Sequence, residues 1–306
     1  MLETTATAHE RRLALRKGLS SGRLLRFPGA FNALSALLIE QASFEGVYVS
    51  GAVVAASLGL PDIGLTSVSE VATFGAEVAR VTSLPTLADA DTGFGEPMNV
   101  ARTVQLLEDA GLSGCHIEDQ LMPKRCGHLD GKTLVGRDEM LRRIQAAGAG
   151  RRDPAFLICA RTDARSVEGL EPAIERARAY ADAGADMIFP EALESEAEYA
   201  AFRRGVEVPI LANMTEFGKT PLLSDKVLAS LGVNLVIYPV TLLRLAMGAV
   251  EEGLGRIAAE GGQASLVARM QTRARLYEVL DYRDYAELDK GIYDFSLDKE
   301  GTDDAS

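Results

Sequence analysis

The feature that most constrains this chain is a loose internal repeat. Four times a helix-like stretch ends in a short turn and passes directly into an apolar run, at 41–50, 109–118, 182–191 and 230–239. Each contains a glycine (Gly46, Gly111, Gly184, Gly232) where a left-handed cap would end a helix, and the run behind it is too short for another helix. Four more apolar runs, 24–28, 84–89, 156–161 and 209–213, lie between them. Alternating strand and helix predicts right-handed βαβ units and a parallel sheet. In one intervening helix Leu170, Ile174, Ala177 and Ala181 form the apolar stripe, with Glu171, Glu175, Arg176 and Arg178 on the other faces. Eight units over about 240 residues match an α/β fold of the (β/α)8 barrel type. An open doubly wound sheet is the alternative, but no glycine-rich dinucleotide fingerprint follows the first run.

The expected organisation is an N-terminal helical arm over 1–23, a catalytic barrel over 24–262 and a C-terminal helical extension over 263–290. The extension's apolar positions, Leu266, Met270, Leu276 and Tyr277, need a surface to pack against. Residues 291–306 are expected to form a disordered acidic tail.

Charge narrows the partners. Forty-four acidic residues against thirty-two basic ones, a formal net charge of −12, argue against nucleic acid, whose phosphates require clustered Lys and Arg. An anionic membrane surface is disfavoured likewise, while a local basic pocket for an anionic metabolite stays open. No apolar run is long enough to span a bilayer, and Glu3, Glu10, Arg11 and Arg12 interrupt the N-terminal stretch. The three cysteines have neither a disulfide framework nor structural-zinc spacing, so a reducing, cytoplasmic setting is expected.

In a parallel barrel the functional side chains gather at the C-terminal ends of the strands. Those ends here carry Ser50, Gly51, Asp89, Asp91, His116, Glu118, Arg161, Asp163, Glu191, Asn213 and Thr215. Asp89 and Asp91 are two apart on an expected strand and so project to the same side. Two neighbouring carboxylates repel unless a proton or cation lies between them, which predicts Mg2+, or Mn2+ in its place, with Glu118 adding to the set. Asp62 is either an outer partner of that cluster or a turn residue.

The second constellation is Lys124-Arg-Cys-Gly-His128. A thiol flanked by two cations and a histidine is expected to have a lowered pKa and to act as nucleophile or general acid, the plainer reading being an exposed loop thiol. Cys115 and Cys159 sit inside apolar runs and read as small buried hydrophobes. His9, His116 and His128 fall in different elements and form no metal triad. Arg161, Arg244 and Arg273 are candidates to fork onto carboxylates.

Taken in order, the stretches 28–35, Ser50-Gly51, 57–62, 89–95, 116–120, 124–128, 160–163, 189–191, 213–218 and 270–273 resemble the isocitrate lyase and phosphoenolpyruvate mutase superfamily, most of all its 2-methylisocitrate-cleaving branch. The resemblance spans about residues 24–285. It implies a Mg2+-dependent (β/α)8 barrel assembled as a homotetramer, with C-terminal helices swapped between subunits. By the same resemblance Asp89 and Asp91 bind the metal, with Glu118 and Asp62 acting mainly through water. Ser50 and Gly51 hold the keto-acid portion of a tricarboxylate substrate. Lys124, Cys126, Gly127 and His128 form a mobile catalytic loop. Arg161, Glu191, Asn213, Thr215, Arg244 and Arg273 bind substrate carboxylates. The implied reaction is retro-aldol cleavage to pyruvate and succinate, as in propionate catabolism, with Cys126 as proton donor. A lyase for another substituted malate or isocitrate, an oxaloacetate decarboxylase and a non-catalytic carboxylate-binding barrel are the alternatives, and the Lys-Arg-Cys-Gly-His loop favours a lyase.

Overall fold

The eight apolar runs are eight strands in the computed structural model, which describes residues 6–129 and 131–294. They are β1 (Leu25–Pro28), β2 (Val47–Val49), β3 (Thr86–Asp89), β4 (Gly114–Glu118), β5 (Leu157–Thr162), β6 (Met187–Pro190), β7 (Leu211–Asn213) and β8 (Leu235–Tyr238). All pairings are parallel, in the ladders β1-β8-β7 and β2-β3-β4-β5-β6. Single parallel bridges, Gly29 to Tyr48 and Ile188 to Ile210, join the two ladders at both seams and close the ring. An open sheet is therefore excluded.

The helices are α1 (Ala8–Leu19), α2 (Ala33–Gln41), α3 (Gly51–Ser57), α4 (Val68–Arg80), α5 (Pro97–Asp109), α6 (Arg137–Gly150), α7 (Ala164–Val167), α8 (Leu170–Asp182), α9 (Glu196–Gly205), α10 (Asp225–Ser230), α11 (Thr241–Glu260), α12 (Arg273–Val279) and α13 (Tyr282–Tyr293). Three of the four repeated glycines take the left-handed conformation expected of a cap: Gly111 at φ 80°, Gly184 at 106° and Gly232 at 77°. The first repeat differs. Ser43 supplies the positive φ there, 61°, and Gly46 is small because a Cβ would lie 2.1 Å from the Phe27 ring.

Strand alternation separates two apolar layers. Leu25, Phe27, Tyr48, Leu87, Leu157, Cys159, Met187, Phe189, Leu211, Leu235 and Ile237 fill the barrel, joined by Leu15 and Leu19 of α1. Their neighbours, such as Val47, Ala88, Ile117, Ile158, Ile188 and Val236, pack outward on the helices. In α8 the buried face centres on Ala173, Ile174, Ala177 and Tyr180. Arg176, placed above off the apolar stripe, is buried because its guanidinium chelates Glu168 at 2.7 and 2.8 Å and donates to the Val135 carbonyl and the Tyr180 hydroxyl.

The C-terminal helices pack little on this barrel. No residue of α11 is buried, and Leu245, Val250, Leu254, Tyr282, Leu288 and Ile292 are exposed. Helix α13 runs to Tyr293, past the expected start of the tail, and 295–306 lie outside the described residues. Among the described residues no helix is long and apolar enough to cross a membrane.

Candidate active site

The inward parity that puts apolar side chains in the barrel also delivers Ser50, Asp89, Glu118, Arg161, Glu191 and Asn213 to its C-terminal mouth, all buried. Arg161 stands among the acids. Its Nε lies 2.9 Å from Asp163 Oδ2 and 3.3 Å from Glu118 Oε2, and its Nη1 lies 3.3 Å from Glu191 Oε2. The guanidinium also covers the Phe189 ring at 5.2 Å. Burial opposes its charge, but Asp163, Glu118 and Glu191 outweigh that and hold it firmly protonated. Glu191 in turn is kept well below the usual carboxylate range: Arg161 and His128 override the burial that would raise it.

Asp89 and Asp91 meet at the mouth by a different route from the one expected. The strand ends at Asp89, and Asp91 turns left-handed at φ 45°. Its backbone N–H donates to Asp89 Oδ1 at 2.9 Å, a local bond that suits an aspartate in this conformation. Burial and the neighbouring Asp89 push the Asp91 carboxyl up to about 6. The Gly51 amide donates to Asp89 Oδ2 at 3.3 Å, and a Cβ on Gly51 would sit 2.8 Å from that oxygen. Glu118 is fully buried, its pKa raised well above the ordinary value by desolvation, and neither carboxylate oxygen accepts a hydrogen bond.

The Lys-Arg-Cys-Gly-His loop folds onto these groups. The Lys124 ammonium lies 2.8 Å from Asp91 Oδ1 and also pairs with Asp62. Gly127 packs so closely that a Cβ there would be 2.3 Å from Glu191 Cγ and 2.5 Å from Arg161 Nη2. His128 Nδ1 accepts from the Lys219 amide at 3.1 Å, which leaves the proton on Nε2, 3.2 Å from Glu191 Oε1 and 3.4 Å from Asn213 Nδ2. Between them the Cys126 thiol is half-buried. Its pKa is raised, not lowered as its sequence neighbours implied. Burial is the main cause, and Glu191 adds to it, whereas Lys124 is spent on Asp62 and Asp91; the His128 amide and Arg161 pull the other way without overcoming it.

The phosphoenolpyruvate phosphomutase family model matches residues 15–258. This chain belongs to that family. It is 62% identical over 289 residues to "Probable 2-methylisocitrate lyase 2" of Corynebacterium glutamicum, covering 94% of each chain. Among solved structures it matches 2,3-dimethylmalate lyase with a TM-score of 0.86 at 32% identity, covering 96% of this chain and 100% of that one. It also matches phosphonopyruvate hydrolase in complex with oxalate and Mg2+, with a TM-score of 0.83 at 34% identity, covering 92% of this chain and 98% of the other.

The family's barrel does not gather every residue expected at its mouth. Thr215 is buried just beyond β7. Arg244, in the first turn of α11, is exposed; it donates to the Glu216 carbonyl at 2.7 Å and stacks over Phe217 at 5.2 Å. Arg273 opens α12 and is exposed, two residues from Arg275, which bonds Gln41 at the far end of α2. Within one chain it lies on the outer helical ring. Asp62 faces Lys124. Among the described residues no three His, Cys, Asp or Glu side chains are already arranged to hold a metal, because Lys124 and Arg161 stand between the acids.

Four residues of the site escaped sequence reasoning. The Tyr48 hydroxyl shares a 2.7 Å hydrogen bond with His116 Nε2, and burial pushes that imidazole down to about 4, so it is neutral. Asp119 accepts from Thr162, Tyr180 and the Asp163 amide at 2.7 to 2.9 Å. Gln120 brackets the Arg125 backbone with two 2.8 Å bonds. Lys132 pairs with Asp163 at 2.9 Å. Alternation could have placed Tyr48, two residues before Ser50, on the inner face; nothing in the sequence marks Lys132.

Proposed function

We propose that this chain is a Mg2+-dependent carbon–carbon lyase that cleaves 2-methylisocitrate to pyruvate and succinate, as in propionate catabolism. What carries the reading is a half-buried thiol with a raised pKa, Cys126, in a loop whose Gly127 packs against Arg161 and Glu191 and whose His128 pairs with Glu191. The similarity to the C. glutamicum lyase gives it a substrate.

In the retro-aldol step a general base takes the substrate hydroxyl proton, the bond between C2 and C3 breaks and C2 becomes the keto carbon of pyruvate; that proton balances the one Cys126 gives to C3. The electron pair passes to C3 of the succinate fragment, where it spreads into the adjacent carboxylate. Arg161 and the Asn213 amide answer the charge that develops there. Cys126 donates its proton to C3, which completes succinate and leaves a thiolate to be reprotonated. A thiol with a raised pKa retains that proton until it is needed. His128, fixed between the Lys219 amide and Glu191, and Lys124, anchored on Asp62 and Asp91, hold the loop that carries the thiol. Ser50, buried at the mouth, and the Gly51 amide, which bonds Asp89, are the groups proposed to hold the keto-acid portion.

The donor set fits a hard divalent cation. Asp89, Asp91 and Glu118 are buried oxygen donors, and both Glu118 oxygens lack a hydrogen bond. Asp62 completes the acidic group. Mg2+, or Mn2+, held there would lower the pKa of the substrate hydroxyl and stabilise the keto product.

The reading extends to assembly. The exposed apolar residues of α11 and α13 support a homo-oligomer, in the family manner a tetramer with exchanged C-terminal helices. The free cysteines suit a reducing, cytoplasmic compartment. The catalytic unit proposed is the barrel over 24–262, between the N-terminal arm and the C-terminal helices.

The test measures product release from 2-methylisocitrate, isocitrate, 2,3-dimethylmalate and oxaloacetate, each with Mg2+ and with EDTA. The expected result is fastest turnover of 2-methylisocitrate, abolished by EDTA and reduced about a hundredfold or more in Cys126→Ser. Near-normal cleavage by Cys126→Ser, or no turnover of any of the four, overturns the reading.

A further inference from the structure

Lys132 is a buried cation with no part in the chemistry just described. Its side chain is 1% exposed and that of Asp163 is fully buried. A buried ammonium is costly unless fully partnered, so its partners disclose what it is for. Asp163 Oδ1 is one, at 2.9 Å; the other is the carbonyl of Gly127, the residue that follows Cys126. The bond to Gly127 ties Lys132 to the peptide beside Cys126, and the bond to Asp163 ties it to the end of β5.

Asp163 is a fixed post. Its backbone N–H donates to Asp119 Oδ1 at 2.9 Å, and Asp119 is itself held by the Thr162 and Tyr180 hydroxyls. Asp163 also receives two bonds from Arg161, at 2.9 and 3.2 Å. A chain of direct contacts therefore runs from α8 through β4 and β5 to the peptide beside the thiol. We infer that Lys132 is a positioning residue: by joining the Gly127 carbonyl to Asp163 it latches the Cys126 loop over Arg161 and Glu191. The inference rests on the reading of Cys126 as the proton donor, and it locates the element that sets the thiol's place. Lys132 does not touch the thiol; it acts through Gly127.

The decisive measurement is alkylation of Cys126 by neutral iodoacetamide, followed by mass spectrometry, in folded Lys132→Met and Lys132→Arg proteins. Cys115 and Cys159, both fully buried, are internal references for global opening. The sign is diagnostic. Removing a nearby cation lowers the thiolate fraction and slows alkylation, so acceleration reports the loop lifting away from its post. The expected result for Lys132→Met is at least tenfold faster labelling of Cys126, unchanged Cys115 and Cys159, and kcat at least tenfold lower with KM within threefold. Lys132→Arg, which keeps charge and donors, stays within threefold of wild type in both readouts. If Lys132→Met does not fold, Lys132→Gln is read by the same two numbers, with acceleration expected. Labelling at or below the wild-type rate, or a loss confined to KM, overturns the latch. Because labelling needs no turnover, it separates failure of the latch from failure of the lyase reading, which Cys126→Ser tests.

Discussion

Gly127→Ala probes the fit of the loop onto the mouth with one methyl group. The added Cβ would lie 2.3 Å from Glu191 Cγ and 2.5 Å from Arg161 Nη2. Ordinary contacts lie near 3.5–4.0 Å, so roughly an ångström or more must be found. Neither neighbour can provide it: Arg161 is held by Asp163, Glu118 and Glu191, and Glu191 by Arg161 and His128. Gly127 is not in the left-handed region, so the alanine meets no backbone penalty and the loop itself must lift. Overpacking of this kind costs about 1–3 kcal/mol. Charged to loop closure, that lowers kcat/KM roughly 5- to 150-fold at about 1.4 kcal/mol per tenfold. The barrel is untouched, so the melting temperature should move by no more than about 2 °C. The assay is pyruvate release coupled to a pyruvate reductase, alongside thermal unfolding, with Gly136→Ala as a control because a Cβ there meets nothing within 4 Å. Activity within twofold of wild type would refute the packing argument. A large fall in melting temperature would refute its assignment to the loop.

Two further outcomes follow from the charges at the mouth. Arg161→Lys keeps the cation but loses the fork that reaches Asp163, Glu118 and Glu191 together; losing two charge-assisted bonds at about 1.5 kcal/mol each predicts a roughly hundredfold fall in kcat/KM, and a fall under threefold counts against Arg161. The raised Cys126 pKa keeps the acid form to higher pH, so the alkaline limb of kcat should lie above the ordinary thiol value of 9.0 and coincide with the midpoint of Cys126 alkylation; a limb at pH 7–8 contradicts a proton-donor thiol.

What could be read from the residues divides along a physical line between strands and loops. A strand transmits direction: once Leu157 and Cys159 are known to point inward, Arg161 must follow, and the same parity carries Tyr48 to Ser50, Leu87 to Asp89 and Leu211 to Asn213. The barrel and most of its mouth are therefore legible from periodicity and glycine punctuation. That rule stops where the strand stops, which is why Asp91 reaches Asp89 through a left-handed turn that alternation does not describe. In the loop, neighbours in sequence are not neighbours in space. Lys124 and Arg125 directly precede Cys126 in the chain, yet Lys124 is drawn to Asp62 and Asp91, and the half-buried thiol feels Glu191 and a burial that Arg161 does not offset. The sign of its pKa shift reverses accordingly. Lys132, six residues beyond the cysteine, reaches back to the carbonyl next to it. The electrostatics of this loop thus depend on the carboxylates that Lys124 and Lys132 find, and the cysteine's chemistry follows from a burial that Arg161 does not offset: a half-buried thiol with a raised pKa is a poor nucleophile at neutral pH and a good place to keep a proton.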